Sequence, residues 1–489
     1  MKTNSILSLI GLIVISFLVS HCSEGEYLND LNSVSNYSEN YDEFGEKYKD
    51  YEENPFINVS DQAISTFSVD ADGGSYANMR RFLYLGQIPP KASVRIEEYI
   101  NYFTFDYEEP VNGENVSLES EVSTCPWQSE HHLIRVGMKG ITIPENELPN
   151  SNYVFLIDVS GSMDSPEKLG ILKSGFITMV DNLKDQDRIA IVTYAGQVGV
   201  LLESTYGDQK SIIKDAINKL GAGGSTAGAA GITTAYEIAL ENFIVNGNNR
   251  IILGTDGDFN VGISSTDELV SFIEEKRDLG IYITVLGVGG GNLNDYMMEQ
   301  IANKGNGNYE YIDNANQIQK VFTNEISKFY TVAKDSKIQI TFNPNMVESY
   351  RLIGYENRSL NTEDFENDTI DAGEIGSGQT ITALYEVILN DVLLNEKYAQ
   401  FDFRYKKPNE DQSRFLTHEI NSLVQEINLS SENMRFASAI TGFGLLMKQS
   451  EYKGTASKHL IIELGSNALN FDPYGYRQEF IGLVNNWSE

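Results

Sequence analysis

The sequence predicts an α/β protein: a doubly wound, mainly parallel sheet, flanked by a small α+β N-terminal region and a β-rich C-terminal domain with helices. Three observations predict it. Between residues 151 and 332, short apolar runs alternate with longer stretches of helical period. After residue 336 the pattern changes to period-two strands, "KIQITFNP", "TITALYEVIL" and "AQFDFRYKK", closed by helical stretches at 431–449 and 474–487. The composition, 41% apolar and 11% aromatic over 489 residues, supplies cores for two or three domains.

The chain opens with "MKTNSILSLIGLIVISFLVSHC". Lys2 gives a short positive region, and residues 6–19 form an apolar stretch of 14 residues, signal-peptide length and short for a bilayer span. Cys22 follows Leu18-Val19-Ser20-His21. This resembles a bacterial lipobox, in which the cysteine is lipidated and becomes the mature N-terminus; His21 departs from the small residue of that pattern. We expect a lipoprotein signal peptide over 1–22, lipidation at Cys22, and a lipid-anchored location in the bacterial cell envelope, at the outer membrane or cell surface. Residues 23–55 are acidic and Tyr-rich without period, as in a disordered tether. Cys125, the only other cysteine, is expected to be a small buried residue.

In the N-terminal region, 56–120, Tyr76, Arg80, Leu83 and Tyr84 fall at helical spacing, and so do Ile96, Tyr99, Ile100 and Phe103. Residues 117–143 alternate as strands and are assigned mainly to the doubly wound unit, 121–335. Its strand-like runs are "YVFLIDV", "RIAIVTYA", "RIILGTD" and "IYITVLGVG", with helical patterns at 166–184, 208–220, 227–243 and 266–279. Gly280 stands where a C-cap belongs. Right-handed crossovers would lay these strands side by side. The C-terminal domain is 336–489.

The chemistry gathers at "NYVFLIDVSGSMDS". Asp158, Ser160 and Ser162 occupy every second position, so an extended chain turns all three the same way. They stand past the C-terminal end of a strand, the edge where open α/β sheets bind ligands. "GAGGSTAGAA" brings Thr226 to a helix start, and "ILGTDGD" brings Asp256 to a strand tip. Two carboxylates and three hydroxyls are all oxygen donors, a set that fits Mg²⁺ or Mn²⁺ rather than Zn²⁺. Neutral hydroxyls leave a dication under-neutralised and favour an incoming carboxylate.

Competing motifs fail on single residues. "GAGGST" lacks the third Gly of a dinucleotide loop and the Gly-Lys-Ser/Thr of a phosphate loop, and "GVGGGN" reads as a tight turn. Phosphoryl transfer of the DxDx[ST] type needs an acid where Ser160 stands. No G-x-S-x-G is present. His131 and His132 are adjacent on a strand-like stretch and so face opposite ways, a poor ligand pair. The acidic stretch 363–374 reads as a solvated loop, with a second cation site as its alternative. Acids outnumber bases 70 to 36, for a net charge of -34, which argues against a nucleic-acid partner.

"DVSGS" at 158–162, Thr226 and "TDG" at 255–257 together resemble the von Willebrand factor A domain, where these positions form the metal-ion-dependent adhesion site. The resemblance implies that Ser160, Ser162 and Thr226 touch the metal, with Asp158 and Asp256 acting through water or as outer acceptors. "FSVDADGGSYANMRRFL", "VRIEEYINYF" and "TDGDFNVG" resemble a bacterial envelope subfamily with an uncharacterised C-terminal domain. The similarity covers most of residues 55–489. It implies a non-enzymatic, membrane-anchored adhesion module that captures a protein partner's Asp or Glu, or an acid of its own flanking domains. Two other readings are an envelope metal-dependent hydrolase or phosphotransferase, for which no base is visible near Asp158, and a scaffold stabilised by its metal.

Overall fold

The structure, a computed structural model, describes residues 45–488 apart from Ala71, Gly196, Ser422 and the segments 224–228, 258–265 and 391–395. The expected signal segment with Cys22, most of the tether, and Thr226 lie outside the described residues.

The N-terminal part contributes β1 (Ile57–Asn58), β2 (Ile64–Ser68), α1 (Gly74–Tyr84), α2 (Ile96–Asn101), β3 (Val116–Thr124) and β4 (His132–Gly140). A central domain follows, with β5 (Ser151–Asp158), α3 (Ile171–Asp181), β6 (Arg188–Ala195), β7 (Gln197–Tyr206), α4 (Lys210–Asn218) and α5 (Ala229–Glu241). It continues through β8 (Asn248–Thr255), α6 (Thr266–Arg277), β9 (Tyr282–Val288), α7 (Asp295–Lys304), β10 (Tyr309–Ile312) and α8 (Ala315–Gln319). The strand order is β10-β9-β8-β5-β6-β7, parallel except for the antiparallel edge strand β7. This is the doubly wound sheet expected from the sequence, and the pattern had singled out neither β7 nor the α7–β10 pair.

Helices on both faces explain why β5 reads as a continuous apolar run, since every one of its residues is buried. Val154 and Leu156 pack with Ile232, Tyr236 and Ile273 of α5 and α6. Tyr153, Phe155 and Ile157 face the opposite way, toward Leu172 and Phe176 of α3 and Ile213 of α4. Phe155 stacks on Phe176 with ring centroids 4.2 Å apart. Gly280 closes α6 with φ 85°, its N–H donating to the Arg277 carbonyl at 2.8 Å.

The C-terminal part adds β11 (Thr331–Phe342), β12 (Val347–Ile353), β13 (Ser359–Leu360), β14 (Gly373–Gly376), β15 (Thr380–Leu389), β16 (Ala399–Lys406) and β17 (Ser413–Ile420). Helices α9 (Glu432–Lys448), α10 (Lys458–Ser466) and α11 (Tyr476–Asn486) complete it. Its strands interleave with those of the N-terminal part. One sheet runs β1-β12-β15-β4-β3 and the other β13-β2-β11-β16-β17, with β14 also pairing β11. The central domain is thus inserted into a β-sandwich. The expected boundary after residue 120 falls inside β3, and the one after 335 falls inside β11. Strands β3 and β4, assigned from sequence mainly to the doubly wound unit, pair with each other, and β4 pairs with β15 of the C-terminal part, so that their apolar face closes on the opposing sheet. That sandwich core holds Phe67, Ile134, Val136, Ile338, Tyr385 and Phe401. A third core packs α1 and α2 against α9–α11 around Trp127, Phe436, Phe443 and Phe480.

The tether expected over 23–55 is docked chain in its last residues. Glu46 is fully buried and accepts two N–H bonds from Arg81 at 2.9 and 2.7 Å, while the Tyr48 ring packs in the central core with Ala77 of α1. The Lys47 N–H donates to the Leu293 carbonyl at 2.8 Å. A buried ring and a buried carboxylate with its own arginine outweigh the polar composition of the segment. Among the described residues no helix is long and apolar enough to cross a membrane.

Arg80 of α1 joins the parts. Its Nε and Nη2 donate to both oxygens of Asp313, just past β10, at 2.7 and 2.6 Å, and Nη1 donates to Glu479 of α11 at 3.1 Å. Arg80 and Asp313 are 1% and 2% exposed. Removing one partner of such a pair strands the other charge in the interior. Arg80→Ala is therefore expected to destabilise the protein by about 3–5 kcal/mol in chemical denaturation. A loss under about 1 kcal/mol would mean that Asp313 is solvated or paired elsewhere.

Candidate metal centre

Parallel pairing sets the ends of β5, β6 and β8 side by side, with Ile157 opposite Gly254 and Asp158 opposite Tyr194. Asp158 ends β5 and Asp256 immediately follows β8, and both are fully buried. Beyond Asp158 the chain stays extended through Ser160 (φ -60°, ψ 164°) and then tightens into a 3₁₀ turn, Gly161–Met163. The Asp158 carboxylate is held at both oxygens. Oδ1 accepts the Ser160 N–H at 2.8 Å, and Oδ2 accepts the Thr255 hydroxyl at 3.3 Å. Ser160 Oγ and Ser162 Oγ are 2.9 Å apart, with Ser160 buried and Ser162 exposed. The Ser162 hydroxyl lies near enough to Asp256 to help lower the pKa of that carboxylate.

Four of the five expected site residues therefore converge, and the fifth, Thr226, lies outside the described residues. The glycine of "TDG" has a steric reason. Gly257 (φ 101°) passes so close to the following loop that a Cβ there would stand 2.3 Å from the Asn294 nitrogen.

The two carboxylates are tuned apart. Burial pushes Asp158 up to about 6; hydrogen bonds from Ser160 and Thr255 oppose the rise, and the neighbouring charge of Asp256 adds to it. Asp256 is also subject to burial, but hydrogen bonds from Lys168 and Ser162, with the Lys168 charge, hold it below the usual carboxylate range. Lys168 Nζ donates to Asp256 Oδ2 at 2.8 Å and to Asn292 Oδ1 at 3.1 Å. Burial, with the Asp158 charge next, pushes the Tyr194 phenol well up. Lys168, Asn292 and Tyr194 were not found from sequence, because each reaches the site from another loop or strand rather than through the DxSxS spacing.

An all-oxygen donor set built on two buried carboxylates fits a hard divalent cation. The acidic stretch 363–374 divides. Asp364 caps a turn, Asp368 pairs with Arg404 at 2.9 Å, and Asp371 and Glu374 come within 4.8 Å of Asp335. Arg277 contacts Asp371 at 2.6 Å and Lys406 contacts Asp335 at 2.8 Å, which makes this cluster an ion-pair network. His131 Nδ1 meets Glu386 at 2.5 Å in the sandwich. Cys125 is buried as expected, and burial pushes its thiol well up.

Comparison with known proteins finds family models that match most of the chain. The model of the von Willebrand factor type A domain matches residues 152–324, and one described as von Willebrand factor matches 42–135. The model described as uncharacterized protein YfbK, C-terminal, matches 327–489. The chain is 41% identical over 467 residues to the uncharacterized protein YfbK of Escherichia coli (strain K12), covering 90% of this chain and 80% of that protein. It is 22% identical over 281 residues to the uncharacterized protein sll0103 of Synechocystis sp., covering 56% and 66%. A solved von Willebrand factor type A structure from Catenulispora acidiphila superposes with TM-score 0.44 at 14% identity, covering 77% of this chain and 91% of that one.

The raised Asp158 pKa has a stability consequence. A carboxylate raised on folding costs nothing below about pH 4, costs progressively more up to its folded value of about 6, and keeps that cost above it. In EDTA, Asp158→Asn should thus be more stable than wild type by about 3 kcal/mol at pH 7, with the gap closing toward pH 4. Thermal melts at the two pH values check this; a gap independent of pH would contradict the shift.

Proposed function

The chain belongs to the von Willebrand factor type A family, in its YfbK-like branch, and from that premise we propose a divalent-metal-dependent protein-binding module. Domains of this family often bind a divalent metal at the adhesion-site motif, and they are generally non-enzymatic interaction modules. The finer reading is that this chain holds Mg²⁺, or Mn²⁺, through Asp158, Ser160, Ser162, Thr226 and Asp256. Bound there, the cation supplies an electrophilic site for a carboxylate oxygen of a partner.

The observation that carries the reading is the convergence of Asp158, Ser160, Ser162 and Asp256 at the carboxyl edge of the central sheet. The protein's own groups divide the work. Asp158 is fixed by the Ser160 amide and the Thr255 hydroxyl, so its position costs no ordering when a cation arrives. Ser160 and Ser162 offer neutral oxygens and add no negative charge. Ser162, exposed to solvent, marks the side from which a partner's Asp or Glu would enter. The lipobox-like segment supports anchoring through Cys22 to a membrane of the cell envelope, with the acidic segment as spacer.

The test is capture from an envelope extract by purified full-length protein, in Mg²⁺, in EDTA, and with Asp158→Ala. The expected result is a retained protein whose binding is lost in EDTA and in the variant, and weakened by at least about tenfold when its contacting acid is replaced by the amide. Identical retention in all three conditions would sink the metal-dependent reading.

A further inference from the structure

Lys168 comes ten residues after Asp158, on the wide turn Pro166–Gly170 that precedes α3. Its side chain runs back toward the sheet edge, and the route is shaped for it. The stem crosses Gly289 (φ 66°), where a Cβ would lie 2.4 Å from Lys168 Cε and 2.6 Å from Cγ. The "GVGGGN" stretch, which fits neither nucleotide motif, is therefore the bed of this lysine. Asn292, at its end, accepts from Nζ at 3.1 Å and steers the ammonium to Asp256 Oδ2 at 2.8 Å. The bed is itself pinned: the Gly289 carbonyl accepts the Tyr311 hydroxyl at 2.6 Å, and the Gly291 N–H donates to Glu46 at 2.8 Å.

This pair differs from an ordinary surface salt bridge. The Asp256 side chain is fully buried and that of Lys168 is 14% exposed, so the attraction is only weakly screened. A buried carboxylate beside another at Asp158 requires a positive charge close by. Lys168 supplies one from the protein itself.

We propose that Lys168 sets the metal affinity of this centre, its ammonium competing with a divalent cation for the charge of Asp256. The inference rests on the metal-centre reading above. A cation recruited by Asp256 either displaces Nζ from that carboxylate or shares it with a fixed positive charge, and both weaken binding. Lys168 is thus a positioning residue: it holds Asp256 and the loop at 289–292 in place, and it raises the cation concentration needed for loading.

The test is calorimetric titration of Mg²⁺ into the full chain as wild type, Lys168→Met, Lys168→Gln and Lys168→Arg, with melting temperatures in Mg²⁺ and in EDTA. Met and Gln are expected to bind Mg²⁺ about tenfold more tightly than wild type, and Arg within about threefold of it. In EDTA the two neutral variants should melt below wild type, because Asp256 loses its counter-charge, and saturating Mg²⁺ should close that gap. Gln keeps a hydrogen-bond donor without the charge, so its result stands if Met fails to fold. If Met and Gln bind Mg²⁺ as wild type does while Asp158→Ala does not bind it, the competition is overturned and the metal reading stands. If no form binds Mg²⁺, both fall.

Discussion

Two carboxylates buried on adjacent strand ends of one sheet cannot both stay ionised without positive charge at hand. That constraint at Asp158 and Asp256 organises the central domain around its carboxyl edge. The sheet places the acids by register alone, since β5 and β8 are neighbours in parallel and both end at the same level. The surrounding groups then treat the two acids differently. Among the described residues Asp158 receives neutral donors and is pushed upward by burial, whereas Asp256 receives an ammonium and is held low. These hydroxyls and carboxylates hold one another in place, so the cluster is preorganised by its own hydrogen bonds.

The domain that carries this edge is anchored from several sides by buried arginines. Arg95, at the start of α2, donates to Asp295 of α7 at 2.5 Å and also contacts Glu98, while Arg358, ahead of β13, donates to Asn303 of α7 at 2.6 Å. With Arg80 on Asp313, these contacts tie the central domain to segments that belong to the sandwich and the helical core. Each pair is worth keeping once formed, because stranding either member in the interior costs more than the pair itself contributes. The insertion of one domain into another follows the same logic, since the sandwich closes only when β2 and β11 meet.

Local chemistry was legible in the sequence. The strands of the central sheet read as apolar runs because helices cover both faces, and Gly280 read as a helix stop because it alone tolerates the positive φ there. Asp158, Ser160 and Ser162 were legible for the same reason: a period-two chain at a strand end turns them one way. The docking of residues 45–55 was not legible, because Glu46 and Tyr48 look like solvated tether residues until Arg81 and the central core are placed beside them. The domain boundaries were equally opaque, because strand pairing between residues distant in the chain leaves no local period.

By itself, then, the sequence determined the class of the central fold and the all-oxygen character of the residues proposed as metal donors. These rest on local period and on short motifs, each read within its own stretch of chain. Only the tertiary structure decided that Lys168 reaches Asp256 across Gly289, that Asn292 steers it, and that the N- and C-terminal strands form one sandwich. Those outcomes depend on which segments meet in space, where desolvation and charge pairing act between residues that share no pattern along the chain.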